Sequence, residues 1–435
     1  MKTSTIILAI ASILFISCKT TKEETFENFR FATPEQVGMN MDSLAKIESM
    51  VKEYIEAKKF PGAVTLIAKN GKIIYESEVG LADFEQSVPY RKNHLFRMAS
   101  MTKPVVSVAA MQLIEAGKLK LDDPVSKYIP SFDSMEIITG FNPQDTTWIS
   151  VPTKTQPTVH HLLTHTSGLT YEYENHGDAI NVKLKITALN TYHDWTLQNT
   201  MNRFGNLPLV HEPGTQWTYG LSTDVLGRVI EVASGMELDD YIRENITKPI
   251  GATTFDFYFS DSSASANLTP LFSANYVTDT LGQFEPLKLE DHPLYIPDYP
   301  IAGAQTYFSG GSGMTGTARD YFLFCQTMLN DGILGETRIL KPETAQLMHQ
   351  DQIDTISYPW GTARFGFGFD IATADHPNKP EGTYSWGGAF STTFWIDPLN
   401  ELIVIQLRQV AFSGHNDEIN ARLEKIVYSA FNENE

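Results

Sequence analysis

Two cysteines, Cys18 and Cys325, are all that 435 residues contain. The first lies in the extreme N-terminal segment, so the folded body has no disulfide and must be held by packing. Basic runs are missing as well. With 33 basic against 52 acidic side chains and a net charge of −19, the chain offers no nucleic-acid surface, only a solvated, self-repelling exterior. There is no internal repeat, which sets aside solenoid and propeller architectures. The apolar stretch from Ile6 to Ile16 is too short to span a bilayer. His161 and His165 stand at i and i+4, but the glutamate of a zinc-protease helix is absent between them, so both are read as structural histidines. The glycine-any-serine-any-glycine elbow of α/β-hydrolases is missing too; "SGGSGMTG" around Ser312 lacks a strand-to-helix setting and is read as a shaped loop. No metal or organic cofactor is expected.

What remains is a globular chain, 42% apolar, able to bury a large core. At its N-terminus Lys2 precedes the apolar stretch, which closes on "LFISC". That is the pattern of a signal peptide. Ser17 followed by Cys18 resembles the lipobox of bacterial lipoproteins, although Phe15 departs from the usual leucine. The resemblance implies that residues 1–17 are removed, that Cys18 is lipidated, and that the protein is held on a membrane of the bacterial cell envelope. Residues 18–37, largely polar, are expected to tether a single body spanning 38–435.

In "DSLAKIESMVKEYIEAKK" Leu44, Ile47, Val51, Tyr54 and Ile55 recur at helical spacing, with Asp42 or Ser43 as cap. "PGAVTLIAKNGKIIYESEVG" predicts two strands joined at Asn70-Gly71, and "STTFWIDPLNELIVIQLRQV" a second pair near the other end, followed by the helix "NDEINARLEKIVYSAF". Both chain ends therefore build one antiparallel sheet. Residues 100–300 read as helices separated by polar loops, giving an α+β architecture: an antiparallel sheet flanked by N- and C-terminal helices, with a mainly helical insertion. Cys325, inside "DYFLFCQTML", is expected to be a buried, inert thiol.

Serine precedes lysine by three residues twice. Ser43 and Lys46 open a two-faced surface helix and have no partner group. Ser100 and Lys103, in "RMASMTKPV", instead open a segment that is apolar around nearly its whole circumference and ends at Gly117. Ser100 and Lys103 share a face of that helix. A buried ammonium is disfavoured enough for lysine to act as a base, and the helix N-terminus favours negative charge on the serine oxygen. Further on, "HEPGTQWTYGLSTDVLGRVIEVASG" places Tyr219 in a loop just before a helix starting near Ser222 or Thr223. "YSWGGAFSTTFWIDP" places Gly387-Gly388 at the expected start of a strand, where backbone can approach a ligand and the next amide can face an oxyanion.

With "HHLLTHTSGLTY" at 160–171 and "GGSGMTGTARDYFLF" at 310–324, these segments, in this order from about Gly38 to Ile426, resemble the serine β-lactamase superfamily. That superfamily includes class C β-lactamases, D-alanyl-D-alanine peptidases and family VIII carboxylesterases. The resemblance implies a β-lactamase and penicillin-binding-protein transpeptidase-like fold. It implies Ser100 as acylated nucleophile, Lys103 and Tyr219 as its proton-transfer partners, and the amides of Ser100 and Ala389 as the oxyanion hole. Class C enzymes carry asparagine two residues past the tyrosine and lysine-threonine-glycine at the third motif; here Leu221 and Trp386-Gly387-Gly388 stand there. The cation that pairs with a substrate carboxylate is gone. Trp386 with the two glycines resembles the family VIII carboxylesterases, which implies that Trp386, Gly387, Gly388 and Leu221 line a site for a small neutral ester or amide. Tyr171, Tyr173 and Trp217 are read as core aromatics. A serine carboxylesterase acting through an acyl-enzyme is therefore expected. A β-lactamase or D-amino-acid peptidase on the same site, and a catalytically idle envelope-binding protein, remain the alternatives.

Overall fold

The computed structural model describes residues 29–83, 87–142, 144–145, 147–171, 195–260, 262–275, 280–283, 287–289, 292–295, 297–411 and 413–431. Residues 1–17, Cys18 and Tyr173 lie outside these.

Helix α1 (Met41–Glu56) and the hairpin β1 (Gly62–Lys69) and β2 (Lys72–Asp83) form where the periodicities place them. At the hairpin tip Asn70 and Gly71 have φ of 53° and 69°, the left-handed conformation that a tight turn requires. The helix cap differs from expectation: the Asn40 side chain, not Asp42 or Ser43, accepts the Ser43 amide. The short strand β3 (Val88–Pro89) completes this end of the sheet. From the C-terminal part come β4 (Ala363–Phe365), β5 (Asp370–Ala372), β6 (Tyr384–Gly388), β7 (Thr392–Asp397) and β8 (Leu402–Leu407). The eight strands lie in the order β4-β5-β6-β7-β8-β1-β2-β3, with β1 and β8 paired antiparallel from Val64 opposite Leu407 to Lys69 opposite Leu402. The two ends of the chain thus meet at the middle of one sheet.

Both faces of that sheet are covered, and side-chain alternation sorts its residues between two cores. On one face Ala63, Ile67, Trp395, Leu402 and Val404 pack with Leu44, Ile47 and Val51 of α1 and with Ile419, Leu423 and Val427 of the C-terminal helix, Asn416–Tyr428. On the other, Val64, Leu66, Phe394, Ile403 and Ile405 belong to the larger core, where α5 (Ala318–Leu329) packs on β1, β7 and β8, α2 (Thr102–Glu115) and α4 (Ser222–Ser234) pack on each other, and α3 (Leu197–Phe204) packs on α4; the C-terminal helix is α6. Helix α2 is buried from Thr102 through Met111, as its all-round apolar pattern requires, and Gly117 follows at φ 68°. Cys325 is a buried free thiol.

Two expectations need correction. The body begins before residue 38: Phe29 packs on Phe322 at 6.2 Å, Ala32 donates to the Ile73 carbonyl, and Pro34 and Val37 are buried, because aromatic and aliphatic side chains break the polar run. The inserted region is also less helical than its loops suggested. Glu136–Asn142 and Thr147–Pro152 pair as an antiparallel hairpin, whose short alternations are hard to tell from loop composition.

Four histidines, His160, His161, His165 and His211, are held below the ordinary 6.5 by burial, His161 down to about 4 with help from His160 and His211. The unfolded chain takes up these protons below about 6.5 and the folded chain resists them. Their contribution to stability is therefore present above about pH 6.5 and lost as the pH falls towards 4. Buried carboxyls raised by desolvation, among them Asp224, Asp320 and Asp370, act in the opposite sense, so the test is differential. His161→Gln keeps an acceptor for the Thr158 amide that His161 Nδ1 now receives at 3.2 Å. Between pH 7 and 5 the variant should lose less Tm than the wild type by calorimetry; equal losses would remove His161 from the account.

Candidate active site

Ser100 lies in the single 3-10 turn Ala99–Met101 that feeds directly into α2. The turn is strained: Ala99 has φ 47°, a left-handed conformation that costs a non-glycine residue about 1–3 kcal/mol. Hydrogen bonds at the Met98 carbonyl hold it, from the Met101 amide at 3.2 Å and from Thr392 Oγ1 at 3.1 Å. Ser100 thus sits at the base of the helix with its Oγ drawn to two donors. Lys103 Nζ donates to it at 3.2 Å and the Tyr219 hydroxyl at 2.6 Å. Lys103, from the same stretch as Ser100, and Tyr219, from a distant one, meet at the serine oxygen. Ser43 and Lys46 are far from this: Lys46 is exposed, on the outer face of α1.

Lys103 is only 1% exposed, so its ammonium must be satisfied by protein. Its other two bonds go to the Tyr171 hydroxyl at 3.1 Å and the Gly311 carbonyl at 2.8 Å, and it lies 4.7 Å from the Tyr219 ring centroid, a cation–π distance. Neither partner was anticipated. By sequence Tyr171 reads as core, and nothing in a lone tyrosine after "SGLT" distinguishes a ligand of lysine from a packing aromatic. Gly311 contributes through backbone, which side-chain patterns do not report.

Asp224, in the first turn of α4, was missed as well, because an acid at that position reads as an ordinary partner of the helix dipole. It is fully buried. Its Oδ1 accepts from Ser309 Oγ at 2.8 Å and from the Gly311 amide at 3.2 Å, so the carboxyl grips the same loop residue whose carbonyl holds Lys103. Burial raises the Asp224 carboxyl, and the Lys103 ammonium opposes that shift. Burial, and then the charge of Asp224, raises the Tyr171 phenol well above its usual range. Glycine is required here for space: a Cβ on Gly311 would stand 2.5 Å from Asp224 Oδ2, and one on Gly310 2.5 Å from the Thr223 carbonyl.

The third motif is placed differently from expectation. Trp386-Gly387-Gly388 close strand β6 instead of opening one, and Ala389 follows on an exposed turn. The two glycines are not equivalent. A Cβ on Gly388 would lie 2.2 Å from Thr392 Oγ1, 2.3 Å from the Met98 carbonyl and 3.3 Å from Ala99 Cβ, whereas one on Gly387 would meet only the Thr392 carbonyl, at 3.2 Å. Gly388 is therefore what lets the end of β6 press against the turn that carries Ser100. Arg408 anchors this turn from the far side of the sheet, donating from Nε to the Ser391 carbonyl at 2.8 Å and from Nη2 to Asn420 of α6 at 2.5 Å. Leu221, expected to face substrate, is 1% exposed and belongs to the large core: it occupies the turn before α4, where an apolar side chain packs inward.

Aromatic rings wall the site. Tyr219 contacts Trp386 at 5.5 Å and stacks on Trp217 at 6.0 Å, and Trp386 meets Phe365 and Trp360 at 5.4 and 5.6 Å. A cavity of about 380 Å³ is lined by Ser100, Tyr219, Trp360, Trp386, Gly387, Gly388 and Ala389, and continues past Asp370, Lys379 and Glu424. A larger one of about 630 Å³, around Arg30, Gln326 and Glu401, contains none of these groups. The two histidines have separate occupations: His161 takes the Thr158 amide, and the His165 ring packs on Tyr219 at 5.0 Å.

The Beta-lactamase family pattern matches residues 47–428. The chain belongs to the β-lactamase family. Among its relatives, Esterase EstB of Burkholderia gladioli is 30% identical over 415 residues, 91% of this chain and 98% of that one. Acyltransferase calJ of Penicillium decumbens is 29% identical over 71% of this chain and 74% of its own. Among solved structures, EstCE1, a hydrolase with promiscuous acyltransferase activity, superposes with a TM-score of 0.73 at 29% identity, covering 89% of this chain and 99% of that one. The fold expected from the motifs is therefore the fold observed.

In this β-lactamase-family site the close approach at Gly388 separates two variants. Gly388→Ala should keep the fold yet cut the rate of fluorophosphonate labelling at Ser100 by about a hundredfold, the scale of losing an oxyanion donor, while Gly387→Ala costs much less. Equal rates in the two variants would show that the contact with Met98 does not set the geometry.

Proposed function

We propose that the protein hydrolyses neutral carboxylic esters through an acyl-enzyme at Ser100. The observation that carries this is the convergence of Lys103 and Tyr219 on Ser100 Oγ beside a wall formed by Trp386, the residue that the family resemblance sets in the place of the class C lysine. In its reactive form the Tyr219–Lys103 pair is one proton short; Ser100 Oγ attacks the ester carbonyl as its proton fills that place, and the amides of Ser100 and Ala389 receive the oxyanion. The carbon–oxygen bond to the alcohol then breaks, and the pair returns the proton to the departing oxygen. Water, deprotonated by the same pair, releases the carboxylic acid and restores the serine. The buried loop of Asp224 and Gly311 keeps Lys103 in reach.

Selection against anionic substrates follows from the cations of the cavity. Lys379 is paired with Glu424 at 3.4 Å and donates to Ser385 at 3.2 Å, while Arg408 is fully buried. Neither supplies a free cation for a carboxylate next to Ser100. The esterase EstB and the hydrolase EstCE1 support the reading of an ester substrate. EstCE1's acyltransferase activity and the acyltransferase calJ support a second outcome of the same intermediate, in which an alcohol replaces water within the aromatic walls.

Ser100→Ala should abolish p-nitrophenyl butyrate hydrolysis and fluorophosphonate labelling, and Lys103→Ala or Tyr219→Phe should cost on the order of a hundredfold or more. The wild type should favour p-nitrophenyl butyrate over nitrocefin in kcat/KM. Trp386→Lys should shift that ratio towards nitrocefin by roughly ten- to a hundredfold, the yield of a well-placed charge-assisted bond of about 1–3 kcal/mol. With an added alcohol, chromatography should detect the transfer ester. A wild type that prefers nitrocefin would replace the esterase reading with a β-lactamase.

We also propose that the protein is exported and held on a membrane through lipidated Cys18, on the strength of the short apolar segment ending at "ISC". Among the described residues no helix is long and apolar enough to cross a membrane. Cys18→Ala should leave the membrane fraction or remain unprocessed; a mature, membrane-bound variant would point to another anchor.

A further inference from the structure

Trp360 is half exposed, at 50%, although it borders a cavity whose other rings are largely buried. A large indole left open to water forgoes burial that its neighbours obtain, and a protein has no packing reason to place one at the mouth of a reactive cleft. It is nevertheless held in place. Its ring meets Tyr358 at 5.2 Å, Trp217 at 5.6 Å and Trp386 at 5.6 Å, with interplanar angles of 82°, 64° and 67°. Among the described residues no ring stacks parallel on it.

The position of Trp360 relative to the reacting atoms decides what it would touch. The departing alcohol must take its proton from the Tyr219–Lys103 pair, so it lies beside the Tyr219 hydroxyl, 2.6 Å from Ser100 Oγ. Trp386 packs on Tyr219, and Trp360 packs on Trp386 one ring further out. The path from Ser100 through the leaving oxygen to solvent therefore runs along these two indoles. We propose that Trp360 and Trp386 form a stacking platform for the alcohol portion of the ester, and that the enzyme selects flat aromatic alcohols. This rests on the ester-hydrolase reading and specifies its substrate. Offset or edge-to-face contact with a planar ring is what two indoles at this spacing reward, and a saturated ring of the same size gains only the burial. In the transfer direction the same platform receives the acceptor alcohol.

The test compares butyrate esters of three primary alcohols, 2-naphthylmethanol, its size-matched saturated counterpart decahydro-2-naphthylmethanol, and choline, each rate taken relative to hydroxide hydrolysis of the same ester. Wild type should turn over the naphthylmethyl ester with kcat/KM at least tenfold above the decahydronaphthylmethyl ester. Trp360→Ala should erase most of that ratio, chiefly through KM, and Trp360→Phe should restore part of it. Calorimetric titration of 2-naphthylmethanol into Ser100→Ala, with and without Trp360→Ala, reads the platform without catalysis. Binding that depends on Trp360 in a protein that hydrolyses none of the three esters would uphold the platform and reject the ester-hydrolase reading. Hydrolysis with a ratio near one, or a ratio unchanged in Trp360→Ala, would overturn the platform and leave the hydrolase standing. A clear preference for the choline ester would also overturn it, since the rings would then be acting on a cation.

Discussion

A single buried ammonium organises this molecule. Lys103 is almost wholly removed from water, and such a charge is tolerated only where each of its protons finds an acceptor and some counter-charge lies near. Here the acceptors are Ser100 Oγ, the Tyr171 hydroxyl and the Gly311 carbonyl, and the counter-charge is Asp224. Each comes from a different part of the chain. Satisfying one lysine therefore ties together the start of α2, the segment ending at Tyr171, the start of α4 and the glycine loop 309–313. Ser100 Oγ is positioned as a by-product of that satisfaction.

Much of the surrounding architecture is needed to keep this arrangement tight. The two chain ends close one sheet, with α1 and α6 sealing its outer face, so that β6 is a fixed wall. Gly388 lets that wall touch the strained turn at Ala99, and Arg408 secures the following turn from behind. Strain at Ala99 and a burial penalty at Asp224 are both unfavourable locally. They persist because the packed layers on either side leave no alternative, the pattern expected where stability is given up for a preorganised site.

The wall also sets the chemistry. A cation at the position of Trp386 would draw carboxylates to Ser100; an indole there instead continues a belt of rings from Tyr219 outward to Trp360. The aromatic belt restricts water and rewards apolar partners, which is the physical link between an esterase and an enzyme that passes its acyl group to an alcohol.

Sequence by itself determined the elements whose signals are local or ordered along the chain. These include the hairpin at Asn70-Gly71, the amphipathic α1, the all-round apolar α2, the antiparallel sheet from both ends, and the trio Ser100, Lys103 and Tyr219. Each is announced by periodicity, turn chemistry or motif order, none of which requires knowledge of distant neighbours. Only the tertiary structure decided the rest. Asp224 looks like a dipole partner until burial makes it the counter-charge of a lysine more than a hundred residues away. Tyr171 looks like core until its hydroxyl is seen on that lysine, and Leu221 looks like a site residue until the start of α4 turns it inward. Gly388 differs from Gly387 because Thr392 Oγ1 and the Met98 carbonyl lie against one and not the other. In each case the deciding quantity is a distance between segments remote in sequence, and packing, not local pattern, sets such distances.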